Sequence, residues 1–169
     1  IPANESVAFI GTTGSGKTTL ADIILGLQKP LSGKVTVDGK DIDENRIWWA
    51  DQIGYIPQSI YLCEESIRSN IAFGVPEEEI DDGKVAECMK KAQIYEFVQT
   101  LPQKENTITG ENGVKLSGGQ RQRIGIARAL YHDPPFLVFD EATSAIDGET
   151  EKAIIDTVNS FAGKKTMLI

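Results

Sequence analysis

The sequence predicts an α/β fold with a mostly parallel sheet and an inserted helical subdomain. Short apolar runs at residues 7–10, 52–58 and 136–139 have the length of buried strands. Helical patterns separate these runs, and alternation of strands with helices is typical of a parallel sheet. Between residues 64 and 133 the helical patterns follow one another without a strand. We therefore expect a core of residues 1–63 and 134–169, with residues 64–133 as the helical subdomain.

The elements follow from local patterns along the chain. A helix after residue 17 is expected to continue until Pro30 stops it, and an Asp38-Gly39 turn predicts a hairpin. Residues 83–101 have the pattern of a helix, and another helix is expected from Ser117 onward. A last helix is expected over residues 148–161.

Composition limits the possible functions. The 169 residues suffice for one domain, and the net charge of −8 argues against a nucleic-acid surface. Cys63 and Cys88 form no CxxC pattern, and with a single histidine they are expected to be ordinary thiols rather than zinc ligands. No apolar run reaches the roughly 18 residues that a membrane span needs. Because the chain begins and ends beside apolar runs, we expect a piece truncated at both ends.

A glycine-rich segment lies between the first predicted strand and the first predicted helix. Gly11, Gly16, Lys17 and Thr18 fit the pattern G-x-x-x-x-G-K-[ST], in the strand–loop–helix context that the mechanism requires. Such a loop cradles phosphates with backbone amides, its lysine reaches the β- and γ-phosphates, and its threonine hydroxyl can bind Mg²⁺. The sequence thus predicts a P-loop NTPase with a RecA-like core that binds ATP and Mg²⁺. The expected contacts are Gly11, Thr12, Thr13, Gly14, Ser15, Gly16, Lys17, Thr18 and Thr19.

Two acidic residues close the apolar strand at 136–139. Asp140 is placed to hold the Mg²⁺ hydration shell, and Glu141 to orient or deprotonate an attacking water. Acidic residues also occur at strand ends simply because these are solvated. The presence of a P-loop in the same chain favours the catalytic interpretation.

A second candidate anion site is the stretch LSGGQ, Leu116 to Gln120. Ser117 is a good helix N-cap, and the N-terminus of the following helix favours an anion. Together with the P-loop and the stretch FLVFDEATSAID, this segment resembles the nucleotide-binding domain of ABC transporters. The resemblance runs from Val7 to Ile169. It implies that two domains dimerise head to tail, so that Ser117, Gly118, Gly119 and Gln120 meet the γ-phosphate held by the partner's P-loop.

The resemblance implies further roles. Gln58 matches the glutamine that senses Mg²⁺ and the attacking water and couples to the membrane domain. Asp147 matches an aspartate that crosses the dimer interface, although it also suits a helix N-cap. The stretch TITGENG, Thr107 to Gly113, resembles a segment of exporter-type members, although it could be a flexible polar loop. His132 does not match the family's switch histidine, and both that histidine and an adenine-stacking aromatic residue are expected to be missing. We therefore expect this piece alone to bind ATP weakly.

These features predict an ATPase domain of an ABC exporter at the cytoplasmic face of a cell membrane. Its expected partners are the transmembrane domain of the same transporter and a second nucleotide-binding domain, with no nucleic acid. One alternative is a DNA-repair or chromosome-structure ATPase, although no sustained heptads lie between Gln58 and Ser117. A non-catalytic nucleotide-binding module is the other, although Lys17, Asp140 and Glu141 argue against it.

Overall fold

The computed structural model describes residues 1–12, 14–140 and 155–169. Within these residues the main sheet has four strands, and every pairing in it is parallel. The strands are β1 (Ser6–Val7), β4 (Ile53–Ile56), β5 (Phe136–Phe139) and β6 (Thr166–Leu168), in the spatial order β1-β6-β5-β4. Strands β2 (Thr36–Val37) and β3 (Lys40–Asp41) form a separate antiparallel hairpin. The predicted α/β fold with a mostly parallel sheet is confirmed.

Six α-helices precede β5 in the described part of the chain. They are α1 (Lys17–Ile24), α2 (Arg46–Asp51), α3 (Ile67–Ile71), α4 (Asp82–Lys91), α5 (Tyr95–Thr100) and α6 (Gly118–Leu130). Residues 155–160 are also helical, and the predicted start of that helix at 148 lies outside the described residues. Helices α3 to α6 all lie between β4 and β5, which agrees with the predicted helical insertion. None of the helices among the described residues is long and apolar enough to cross a membrane.

Strand β5 is buried on both faces and separates two apolar clusters. Its side chains alternate between the clusters, as the two-residue period of a strand requires. Phe136 and Val138 pack in a smaller cluster with α1 and α2, which we call the P-loop-side cluster. Leu137 and Phe139 pack in a larger cluster with α3 to α6, which we call the helical-side cluster. The helices therefore cover opposite faces of the sheet.

Helix α6 packs closely on β4 because Gly54 has no side chain. A Cβ at Gly54 would lie 2.7 Å from the carbonyl oxygen of Ala129 and 2.8 Å from Cγ of Pro134. Any larger residue would push the end of α6 away from the sheet. This contact fixes α6 against the strand that leads to Gln58.

Three predicted boundaries were wrong. Strand β1 ends at Val7, although the Phe9 amide still donates to the Ile169 carbonyl at 2.7 Å. Helix α1 ends at Ile24, before Pro30, because Gly26 adopts a φ of +77° that cannot continue a helix. The helix predicted over 83–101 is two helices, since Gln93 has a φ of +53° and turns the chain between α4 and α5.

Candidate functional site

The loop between β1 and α1 has the backbone geometry of a phosphate cradle. Gly14 and Gly16 have φ angles of +83° and +91°, which residues with a side chain adopt only under strain. The Ser15 amide donates to the Thr12 carbonyl at 3.1 Å and closes the loop on itself. A Cβ at Gly11 would lie 2.5 Å from the Ser15 hydroxyl oxygen, so a larger residue there would require the Ser15 side chain to move.

The N-cap of α1 is a glycine, which has no side chain to accept from the backbone amides of the first turn. Gly16 is the N-cap and makes no side-chain cap, and no acidic residue lies in the first turn. Such a terminus carries a partial positive charge and unsatisfied N–H groups, which suit an anion. The Lys17 ammonium adds a full charge, and it donates to the carbonyls of Gly11 at 3.0 Å and Thr12 at 3.3 Å. The loop, the helix end and the lysine thus form one cationic site.

Asp140 lies beside this loop and connects it to the sheet. The Thr18 hydroxyl donates to the Asp140 carboxylate at 3.3 Å, although the two residues are 122 positions apart in sequence. The Asp140 amide donates to the Ile56 carbonyl at 2.9 Å, which extends the pairing of β4 with β5 by one residue. The structure therefore brings Asp140 to Thr18, the residue after Lys17.

Tyr55 is a member of this site that the sequence analysis missed. Its hydroxyl lies 3.5 Å from the second carboxylate oxygen of Asp140. Burial first, and then the negative charges of Asp140 and Asp22, raise the pKa of Tyr55 above its usual value. The phenol therefore stays neutral and remains a hydrogen-bond donor. In the sequence, the feature that could have identified Tyr55 was its position near the end of a strand that neighbours β5.

The residues present fit a nucleoside triphosphate with Mg²⁺. Mg²⁺ commonly binds through one or two protein oxygens and the phosphates of its substrate, and Thr18 with Asp140 offers such a pair. No group of three or more acidic, histidine or cysteine side chains that could hold a metal alone occurs in the part of the chain described here.

The candidate anion site at α6 is constructed differently. The Ser117 hydroxyl accepts from the Gln120 amide at 3.2 Å, and the Gln120 side-chain oxygen accepts from the Ser117 amide at 2.8 Å. This is a capping box, and it confirms the predicted N-cap. The serine hydroxyl retains its own hydrogen for donation. Ser117 and Gly118 are exposed, whereas Gly119 is buried.

Within one chain the two helix starts belong to different faces of the sheet. Helix α1 contributes Ala21, and its C-cap Leu25, to the P-loop-side cluster, and α6 contributes Ile124, Ile126 and other residues to the helical-side cluster. The Ser117 terminus is thus carried by the face opposite the one that carries the P-loop helix.

The remaining predicted residues are placed in part. Gln58 is exposed and lies two residues beyond the end of β4, close in sequence to the Ile56 carbonyl that binds Asp140. Thr13, Glu141 and Asp147 lie outside the described residues. Thr12, Ser15 and Thr19 are exposed in the loop and the first turn of α1.

The stretch TITGENG is tied to the residues after Gln58 rather than free. Ile108 forms a β-bridge with Ser66, and Thr109 is 1% exposed. The Thr109 hydroxyl donates to the Cys63 carbonyl at 2.8 Å. Cys63 and Cys88 are both free thiols, and exposed His132 packs edge-on to Tyr131 at the end of α6.

The family model for ABC transporters matches residues 1–144. This chain belongs to the ABC transporter family. It is therefore an ATP-binding domain of that family, and the predicted resemblance is confirmed. The ABC domain described here has three short sequence hallmarks in the family's order: the P-loop, LSGGQ and the acidic strand end.

Relatives of this ABC domain are exporters and flippases. It is 40% identical over its whole length to an ATP-dependent lipid A-core flippase of Cupriavidus pinatubonensis, of which it covers 29%. It is 42% identical to the flippase of the same name from Francisella tularensis, covering 28% of it. It is 40% identical to a sophorolipid transporter of Starmerella bombicola, covering 14% of it. The chain thus spans less than a third of these relatives.

The fold agrees with a solved exporter structure. A bacterial Atm1-family ABC exporter with ATP bound superposes with a TM-score of 0.89 and 37% sequence identity. The superposition covers 98% of this chain and 29% of the exporter chain.

Proposed function

We propose that this ABC domain binds and hydrolyses ATP and thereby drives the export of a substrate across a membrane. The observation that carries the proposal is the Thr18–Asp140 contact beside the Lys17 ammonium, at the end of the parallel sheet. This arrangement places a cation, a metal-binding oxygen pair and a phosphate-binding loop in one place.

Each residue has a distinct role in the proposed reaction. The backbone amides of residues 11–19 bind the phosphates, and Lys17 holds the β- and γ-phosphates with its charge. Thr18, Asp140 and Gln58 are the proposed Mg²⁺ ligands, directly or through water. Mg²⁺ would supply neutralisation of the phosphate charge that develops during transfer. Glu141, the residue after Asp140, would accept the proton of the attacking water.

A second copy of the domain completes the proposed site. Ser117, Gly118, Gly119 and Gln120 of one copy would contact the nucleotide on the P-loop of the other, and Asp147 would cross the interface. The position of α6 on the face opposite α1 supports this arrangement. The retained Ser117 hydrogen and the exposed Gly118 support it too, since the terminus can approach a phosphate from outside.

The membrane partner is inferred from the relatives. Their names describe exporters and flippases, and this chain covers less than a third of each. We propose that a transmembrane domain of the same transporter is the partner, and that the ABC domain works at the cytoplasmic face of the membrane.

The test is ATP turnover by the full-length transporter carrying Glu141→Gln. This change keeps the size of the side chain and removes its basic oxygen, so turnover should fall about 10²- to 10⁴-fold while ATP still binds. Glu44→Gln, an exposed carboxylate outside the site, is the matched control and should leave turnover unchanged. Parental turnover by Glu141→Gln would contradict the proposed base.

A further inference from the structure

Arg128 makes the most extensive side-chain contacts on α6. Its Nε donates to the Asn70 carbonyl at 2.7 Å, and its Nη2 donates to the Asn70 side-chain oxygen at 2.9 Å. Its Nη1 donates to the Tyr61 carbonyl at 2.8 Å. The guanidinium carbon lies 5.1 Å from the centre of the Phe73 ring. One side chain of α6 thus holds α3 and the loop that follows Gln58.

Asn70 continues this connection into the loop. It is fully buried, and its side-chain oxygen also accepts from the Cys63 amide at 2.9 Å. Its side-chain nitrogen donates to the carbonyls of Cys63 and Ser66, both at 3.0 Å. Both lone pairs of the oxygen and both N–H groups are therefore used. Because the amide is saturated, the loop has little freedom to shift without breaking several bonds.

An arginine at this position costs free energy, because its charge is partly removed from water. None of its described bonds goes to a carboxylate, and burial lowers its pKa. Taking a charge out of water without an opposite charge costs free energy that an apolar residue would not. The guanidinium group, by contrast, donates several hydrogen bonds in fixed directions. It therefore fixes the positions of the groups it binds in a way that an apolar residue cannot.

The two ends of this connection are parts of the proposed site. The loop of residues 58–66 begins at Gln58, and Ser117 is the N-cap of α6. Phe73, 55% exposed, and Tyr61, 65% exposed, give the connection a surface that a partner can reach. A movement imposed on that surface would therefore be transmitted through Arg128 to α6.

We propose that Arg128 is a positioning residue that locks the loop of residues 58–66 onto α6, so that Gln58 and Ser117 move as one body during ATP turnover. The inference rests on the proposed function, because it assigns a coupling role within that ATPase. Arg128 itself contacts no nucleotide in this proposal.

The first test measures ATP turnover by the full-length transporter carrying Arg128→Met or Arg128→Lys. Arg128→Met should lower kcat about 10- to 100-fold, since misplacement of a site costs rate. KM for ATP should stay within about threefold, because the P-loop contacts are untouched. Arg128→Lys keeps the charge but not the fork, so its kcat should lie between those of the parent and Arg128→Met.

Arg68→Met is the matched control. Arg68 is another arginine with a largely buried side chain, but it pairs with Glu77 and Asp82 and not with α6. Arg68→Met should lower the melting temperature as Arg128→Met does, but its kcat should stay within about twofold of the parental kcat. Equal kcat losses in the two variants, or a rise in KM that matches the loss in kcat, would overturn the proposal.

Hydrogen exchange provides a second measurement that does not depend on turnover. Arg128→Met should speed amide exchange both in residues 60–66 and in residues 117–121, whereas Arg68→Met should speed it only around residues 77–82. Exchange that rises in only one of the first two segments would overturn the proposal. A parent protein without ATPase activity would instead refute the proposed function, and the exchange result would still decide the role of Arg128.

Discussion

Helices α1 and α6 both start beside glycines, but their N-cap residues differ. At α1 the N-cap is Gly16, which has no side chain with which to cap the first turn. At α6 the N-cap is Ser117, and a capping box ties the amides of Ser117 and Gln120 to each other's side chains. A glycine-rich helix start therefore does not by itself identify one kind of binding site. In the proposed function the start of α1 binds phosphates in its own chain, whereas the start of α6 faces a nucleotide held by another copy.

Burial differs between the same two helices. One of eight residues of α1 is buried, against seven of thirteen in α6. The larger buried face packs α6 firmly in the core. Contacts such as that of Arg128 with Tyr61 attach α6 to the loop after Gln58. Helix α1 packs in the smaller P-loop-side cluster.

The largest expected effect comes from a cavity in the helical-side cluster. Ile126 is fully buried, so Ile126→Ala should cost about 2–5 kcal/mol of unfolding free energy. Ile24 of α1 is only half-buried, and Ile24→Ala should cost about 1 kcal/mol. Denaturant titrations of both variants measure the difference. Equal losses would contradict the unequal packing of the two helices.

A smaller effect is expected from the cap of α6. Ser117→Ala removes the acceptor for the Gln120 amide and should cost about 0.5–2 kcal/mol. ATP binding to the isolated domain should be unchanged, as calorimetric titration can verify, because Ser117 serves a partner's nucleotide in our proposal. Ser32→Ala in an exposed loop is the control for stability. Weaker ATP binding by monomeric Ser117→Ala would place Ser117 in its own chain's site.

The smallest expected effect concerns the thiol of Cys88, which lies on α4 and packs in the same cluster as α6. Burial raises the pKa of Cys88 from 9.0 to about 11. At pH 8 about one molecule in a thousand would carry the reactive thiolate, so iodoacetamide should not label Cys88. Stability that depends on the neutral thiol should be lost as the pH rises from about 9 to about 11. Mass spectrometry reads the labelling, with Cys88→Ser as control, and rapid labelling of Cys88 at pH 8 would show that α4 opens.

Sequence alone predicted the parts of the site that depend on local patterns. The P-loop, Asp140 and the Ser117 cap follow from residues that lie next to one another, because glycine conformation and helix capping are local properties. The hairpin turn at Asp38-Gly39 also follows, with φ angles of +50° and +80°. The end of α1 was missed because Pro30 suggested a later stop than Gly26.

The long-range contacts could not be predicted in the same way. Arg128 meets Tyr61 and Asn70 across 58 or more positions, and nothing in the local pattern of α6 separates it from a surface arginine. Tyr55 reads as an ordinary strand residue until β4 is placed beside β5. Such pairings depend on how the sheet and the inserted helices pack, which periodicity does not specify.

The most direct test of a site shared between two copies is complementation of two inactive variants in the full-length transporter. Lys17→Ala removes the cation of the P-loop, and Ser117→Arg blocks the terminus of α6 with a bulky charge. Each variant alone should have little ATPase activity. In an equal mixture of co-expressed chains, mixed dimers would pair an intact P-loop with an intact α6 terminus. Turnover should recover to about a quarter of the parental rate, since half of the dimers would have one complete site of two. A mixture that is no more active than its separate components would contradict a site shared between two chains.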